Sequence, residues 1–133
     1  MIDIEDQVYQ KIIDELKRSF PSIYCYKEQQ SALAKFPCAI IEEADNYAYD
    51  KTQDSGSLEN HAVVMYEVNV YSNKVNGKKG ECKQILQIID KQFEKMGFTR
   101  ISKVPMTMNK ATVYRIVSRY QAVVSKNKEI YRR

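Results

Sequence analysis

Tryptophan is absent from this chain, and histidine occurs once, at His61. One histidine excludes a two-histidine metal site within the chain and leaves little scope for a Ser-His-Asp or Cys-His arrangement. His61 opens a strand-like segment beside a polar stretch and reads as a solvated side chain. Cysteine is scarce too. Cys25, Cys38 and Cys82 are odd in number, and their spacings match no zinc or redox pattern, so they read as reduced, mostly buried thiols. With 4 Gly and 3 Pro, 44% apolar and 29% charged residues, the composition argues against wholesale disorder. No apolar run approaches the length of a membrane span. The first residues, MIDIEDQ, are acidic and polar, unlike a signal or transit peptide, so a protein made and used at first in a cytosol is expected.

What is present fits one domain. A chain of 133 residues buries roughly two-thirds of its unfolded surface and needs no metal or disulfide to fold. Its net charge of +4 hides a split. Residues 1–60 carry 6 Lys/Arg and 12 Asp/Glu, whereas residues 61–133 carry 15 and 5. A basic half points to nucleic acid or to an acidic surface on a neighbouring subunit.

The periodicity predicts the elements. Ile4, Val8, Ile12 and Leu16 recur at helical spacing, with Asp3 as the expected N-cap and Pro21 as the stop. SIYCYKE reads as a short strand and FPCAIIEEADN as a second, with Pro37 at its start. Residues 46–60, NYAYDKTQDSGSLEN, have no apolar period and predict a long loop or hairpin arm, an interaction segment by its length and tyrosines. HAVVMYEVNVYS has the clearest period of two: Val64, Tyr66, Val68 and Val70 on one side, Val63, Met65, Glu67, Asn69 and Tyr71 on the other. It predicts a central antiparallel strand. NKVNGKKGE follows as a turn, then the helix CKQILQIIDKQFEKM, with Cys82, Ile85, Leu86, Ile89, Phe93 and Met96 in one stripe and Gly97 as a left-handed C-cap. TRISKVPMTM and ATVYRIVSRYQAVVS predict two more strands, the first an edge because of Pro105. KNKEIYRR adds a short strand or a basic tail. The order α-β-β-β-α-β-β implies an α+β fold: a mainly antiparallel sheet of four or five strands with both helices on one face.

Three stretches carry residue types that could do chemistry. Glu42, Glu43 and Asp45, with Lys51 after them, have the composition of a metal-dependent nuclease site, but alternation puts Glu42 and Glu43 on opposite faces. NKVNGKKGE lacks the GxxxxGK[ST] pattern of a phosphate loop. Lys78, Lys79, Lys83, Arg115, Arg119, Arg132 and Arg133, interleaved with tyrosines, could bind nucleic acid, yet they match no recognised module. No catalytic, metal or cofactor residue is assigned, and the chain is not expected to be an enzyme.

VNVYSNKVNGKKGECKQILQIIDKQFEKMGFTRIS followed by ATVYRIVSRYQAVV resembles the small tail-completion proteins of long-tailed bacteriophages and prophages of Gram-positive bacteria. These are tail terminators or tail-to-head joining proteins, sometimes labelled minor capsid proteins. The pattern is a strand ending Tyr71-Ser72-Asn73, a Gly77–Gly80 turn, a helix ending Met96-Gly97-Phe98 and a Tyr114-Arg115 strand ending at Tyr120. The N-terminal helix and FPCAIIEEADN fit as well. The resemblance implies a subunit of a hexameric ring that caps the tail tube at the head-proximal end of the virion, after assembly in the host cytoplasm. Its partners would be copies of itself, the tail tube protein and the head–tail connector protein, with no membrane. The residues expected at subunit or partner contacts are Tyr47, Tyr49, Asp50, Asp54, Lys74, Lys78, Lys79, Arg132 and Arg133. Another connector, neck or minor capsid component is the alternative within that particle, and a small nucleic-acid-binding module the alternative outside it.

Overall fold

The strand read as central has to serve two sides at once. In the computed structural model, which describes residues 1–30, 35–48, 61–106 and 112–131, His61–Ser72 is a 12-residue strand with paired neighbours on both edges. The elements in chain order are α1 (Glu5–Ser19), β1 (Tyr24–Tyr26), β2 (Cys38–Ala48), β3 (His61–Ser72), α2 (Lys78–Met96), β4 (Thr99–Met106), β5 (Tyr114–Ser125) and β6 (Ile130–Tyr131). The sheet order is β1-β2-β3-β5-β4, and the two-residue β6 extends the pairing along β5. All pairs are antiparallel except β1 with β2, which run parallel. This is the expected α+β fold, with the short C-terminal strand added.

Both helices pack on one face. Val8, Ile12 and Leu16 of α1 and Cys82, Ile85, Leu86, Ile89 and Phe93 of α2 are buried in one core with Ala39 and Ile41 of β2, Val64, Tyr66, Val68 and Val70 of β3, and Ile116, Tyr120 and Val124 of β5. Helical spacing on one side and period-two spacing on the other bring these stripes together. The densest packing is aromatic. Phe93 stacks on Tyr120 at 4.1 Å between ring centroids and meets Phe98 edge-on at 5.1 Å, and Tyr66 lies edge-on to Phe98 at 5.5 Å. Such pairs add to the area they bury. Gly97 takes a left-handed φ of 100°, which lets Phe98 N–H reach back to Phe93 C=O at 2.9 Å and turns the Phe98 ring into the core.

Two helix starts differ from expectation. Asp3 is not the N-cap of α1; Ile4 holds that position without a side-chain cap bond, because its side chain is drawn into the core. Asp3 Oδ1 instead accepts the Glu5 N–H at 3.0 Å from one residue further out. Helix α2 begins four residues before the apolar stripe, at Lys78. Gly77, left-handed at φ 93°, turns the chain into it, so NKVNGKKGE ends inside the helix. Strand β2 runs on to Ala48 through a register shift between Glu43 and Asp45. Of the long loop or hairpin arm expected over residues 46–60, residues 46–48 are the arm, paired antiparallel with the start of β3, and residues 49–60 lie outside the described residues. His61 is half-buried and not freely solvated.

The charge split along the chain is also a split in space. Helix α1 and strands β1 and β2, from the acidic half, occupy one side of the sheet; β5, β4 and β6, from the basic half, occupy the other.

Phe93→Ala removes the ring that touches Tyr120, Phe98 and, at 5.8 Å between centroids, Tyr66, and a loss of about 3–5 kcal/mol in unfolding free energy is expected. Urea denaturation of the purified variant measures it, and a loss under 1 kcal/mol would show that the cluster is not the keystone of this core.

Candidate interaction surface

No described helix covers the second face of the sheet. Strand register sorts its side chains into rows. Tyr24, Cys38, Tyr71, Arg115 and Met106 form the first row, and Tyr26, Ile40, Asn69, Val117 and Val104 the second. Glu42, Glu67, Arg119 and Ser102 make the third, Asp45, Met65, Gln121 and Thr99 the fourth, and Tyr47, Val63 and Val123 the fifth. At one end Cys38, Ile40 and Tyr71 are buried as a small second core with Tyr26, Phe36 and Val113 against them.

A polar residue sits fully buried in the middle of this face. Asn69 is 0% exposed. Its Oδ1 accepts from Arg115 Nε at 2.9 Å and Nη2 at 2.6 Å, and its Nδ2 donates to Glu67 Oε1 at 3.2 Å. Glu67 Oε2 accepts from Arg119 Nε at 3.1 Å. The Arg115 guanidinium also lies 5.4 Å from the centroid of the Tyr71 ring. A buried amide is tolerated when its lone pairs and N–H groups are used, and charged donors make the stronger bonds. The result is a chain, Arg119–Glu67–Asn69–Arg115–Tyr71, that holds two arginines of β5 in fixed poses on an otherwise open face.

Around it stand most of the exposed large apolar side chains. Tyr24 is 40% exposed, Tyr47 49%, Val104 47% and Met106 43%. Large apolar groups gathered on one face mark an interaction surface more than the same groups scattered singly.

The contact residues expected from sequence divide. Tyr47 lies on this face, opposite Val63 at the start of β3. Lys74, Lys78 and Lys79 gather at the other end, where β3 runs into α2. Ser72 ties that corner: its Oγ donates to Glu81 Oε1 at 2.6 Å and accepts the Lys74 N–H at 3.2 Å. Tyr47 and the lysines are therefore not one site. Tyr49, Asp50, Asp54, Arg132 and Arg133 lie outside the described residues. Sequence reasoning passed over Asn69, Glu67, Arg115 and Arg119 as a unit, although their alternation was visible; what joins them is the β3–β5 register.

The carboxylates behave as alternation requires. Glu42 faces the open side and accepts from Gln29 Nε2 at 3.2 Å; Glu43 faces the helices, its N–H bonded to Glu5 Oε2 at 3.2 Å. Burial pushes the Glu43 carboxyl above the ordinary range. A hydrogen bond from Asn46 opposes this, while Glu5, Asp3 and Asp45 push the same way as burial. Among the described residues no three His, Cys, Asp or Glu side chains converge as metal ligands, and no helix is long and apolar enough to cross a membrane. Burial pushes the thiols of Cys38 and Cys82 up to about 12. They are protonated at neutral pH and poor nucleophiles. No protein-family model and no curated protein matches this chain.

Two outcomes follow from these contacts. Because the folded Glu43 carboxyl binds its proton more tightly than the unfolded one, stability falls as pH rises through the raised value. Glu43→Gln should therefore raise the melting temperature at pH 7, and the gain should fade below pH 4.5, the ordinary value; an unchanged melting temperature at pH 7 would contradict it. Asn69→Leu leaves the Arg115 guanidinium without its acceptor and should cost about 1–3 kcal/mol in urea unfolding. Asn69→Leu with Arg115→Met should recover part of that loss, and a double variant no more stable than the single one would refute the coupling.

Proposed function

We propose that this chain is a structural subunit of a long-tailed bacteriophage, a tail terminator that closes the tail tube as a ring, ends its polymerisation and offers the surface to which the head attaches. The observation that carries this reading is the segregation of charge across one sheet. A ring of identical subunits repeats a head-to-tail contact, which needs two different patches that complement each other. An acidic flank of α1, β1 and β2 and a basic flank of β4, β5 and β6 meet that need, because opposite potentials set register and disfavour acid-to-acid contact. The resemblance of residues 68–124 to tail-completion proteins agrees with it. Six copies, the tail tube protein and the head–tail connector protein are the proposed partners, and the head-proximal tip of the virion tail is the proposed location.

The lysine corner supports a second reading. Lys74 and Lys79 are exposed and Lys78 half-exposed at one end of the molecule, a small basic patch of the kind that also meets nucleic acid phosphates. Titration with duplex and single-stranded DNA at low salt separates the two: a tail terminator should bind neither, whereas affinity that falls steeply with added salt would favour a nucleic-acid module. Another connector or neck component of the same particle is distinguished by phenotype.

Deleting the gene from a phage that carries it should give tails of uncontrolled length, unattached to heads, under the electron microscope. Tails of normal length joined to heads would overturn the proposal. Charge reversal at Lys78 and Lys79 should impair assembly of the particle while leaving the circular dichroism spectrum and melting temperature of the purified subunit unchanged, and full assembly with both reversed would remove these residues from the contact.

A further inference from the structure

The C-terminal half of α2 borders a cleft that it shares with α1 and the β5–β6 hairpin. Gln92, Lys95 and Met96 stand at i, i+3 and i+4 on one side of the helix. Lys11 of α1, and Lys128 and Ile130 of the hairpin, line the same cavity. It measures about 610 Å³, the size of a small-molecule site. It lies about 25 Å along α2 from the lysine corner at Lys78, so the two basic sites are separate.

Three lysines from three elements therefore border one cavity, with a single carboxylate, Glu129, among them. All three are exposed, and Lys11 and Lys128 have no ion pair with any described residue. Lys128 is also the one non-glycine residue, among those described, with a left-handed backbone, at φ 64°. Three hydrogen bonds hold it there. Lys128 N–H donates to Ser125 C=O at 2.8 Å, Ser125 N–H to Glu129 C=O at 2.8 Å, and Glu129 N–H to Ser125 Oγ at 3.1 Å. Glycine is the ordinary occupant of a left-handed position in a hairpin turn and would suit this one better. A lysine kept where the backbone disfavours it points to a use for its side chain. Met96 and Ile130 are half-buried and pack against the core, which gives the cavity an apolar wall beside its charges.

We infer that this cleft binds a small phosphorylated molecule, with a terminal phosphate among Lys11, Lys95 and Lys128 and a ring-shaped body against Met96 and Ile130. This goes beyond the ring proposal and does not rest on it. The lysines select the anion. A single carboxylate is matched best by the planar fork of an arginine, and no described arginine lines the cavity. Several ammonium point charges suit a tetrahedral group with three free oxygens and a charge of about −2. An internal phosphodiester of a nucleic acid carries a single charge, so it gains less here than a terminal phosphate does. Gln92 and Glu129 supply an amide and a carboxylate that can pair with hydroxyl or amino groups of the body.

Isothermal titration of the full chain with ADP should show one site per 15.5 kDa chain. Pyrophosphate should bind the same site more weakly, because it has no body to lay on Met96 and Ile130. Lys11→Ala and Lys128→Gly should each weaken ADP binding by about tenfold or more, the loss of one charge-assisted hydrogen bond. Lys128→Gly should do so while raising the melting temperature, since glycine takes the left-handed turn without strain, and misfolding would not give that pair of results. Lys103→Ala, on the exposed edge strand β4, should bind ADP as the parent does. A single-stranded oligonucleotide without terminal phosphates should not compete. No binding of ADP at millimolar concentration, a Lys11→Ala or Lys128→Gly chain that binds like the parent, an equal loss in the Lys103→Ala control, or an oligonucleotide that displaces ADP would each overturn the inference. Pyrophosphate bound as tightly as ADP would overturn the part given to Met96 and Ile130.

Discussion

Strand β3 is the constraint from which the rest follows. It has strand neighbours on both edges, so each of its side-chain faces needs its own solution. On one side Val64, Tyr66, Val68 and Val70 give an unbroken apolar row that two helices bury. On the other, Glu67 and Asn69 would be costly on a packed face if left alone. Arg115 and Arg119, brought alongside by the β5 register, satisfy them. The same pairing that completes the core therefore builds the open face. Neither could be changed without the other, because a one-residue slip would send every side chain to the wrong side.

The distribution of charge has a similar economy. The acidic first half and basic second half of the chain become two flanks of one sheet because β1 and β2 lie on one side of β3, and β5 and β4 on the other. The proposed closed ring needs unlike flanks, and this topology supplies them. Strand β4, the exposed edge on the basic side, carries Lys103, Pro105 and a register shift between Arg100 and Ser102. These are the devices by which edge strands resist open-ended pairing, which favours contacts made by side chains over an extended sheet.

Much of this was legible before the fold was known, for physical reasons. The bounds of β3 follow from a period of two that is interrupted only at its ends. The α2 stripe follows from helical spacing, and Gly97 with Phe98 announced its end because few residues other than glycine take the left-handed turn. The start of α2 was hidden, since Gly77 caps it without a side-chain bond and the first turn is lysine and glycine rather than an apolar stripe. The three-residue β1 was readable as a strand, but its parallel pairing to β2 depends on partners distant in the chain. The open-face network was invisible for the same reason: Asn69 and Arg115 are 46 residues apart, and alternation assigns a face without saying which strand lies beside which. Tyr47 looked like part of a loop because β2 crosses a register shift before reaching it, which breaks the simple alternation after Glu43.

The central claim is that the β3–β5 register builds both faces of the sheet at once, a helix-covered core on one and the Arg119–Glu67–Asn69–Arg115 network on the other. Native-state hydrogen exchange reads this directly, amide by amide. The paired amides of β3 and β5 should open only with global unfolding, while those of the two-residue β6 exchange first. Amides of β3 that open well below the global unfolding free energy would contradict it.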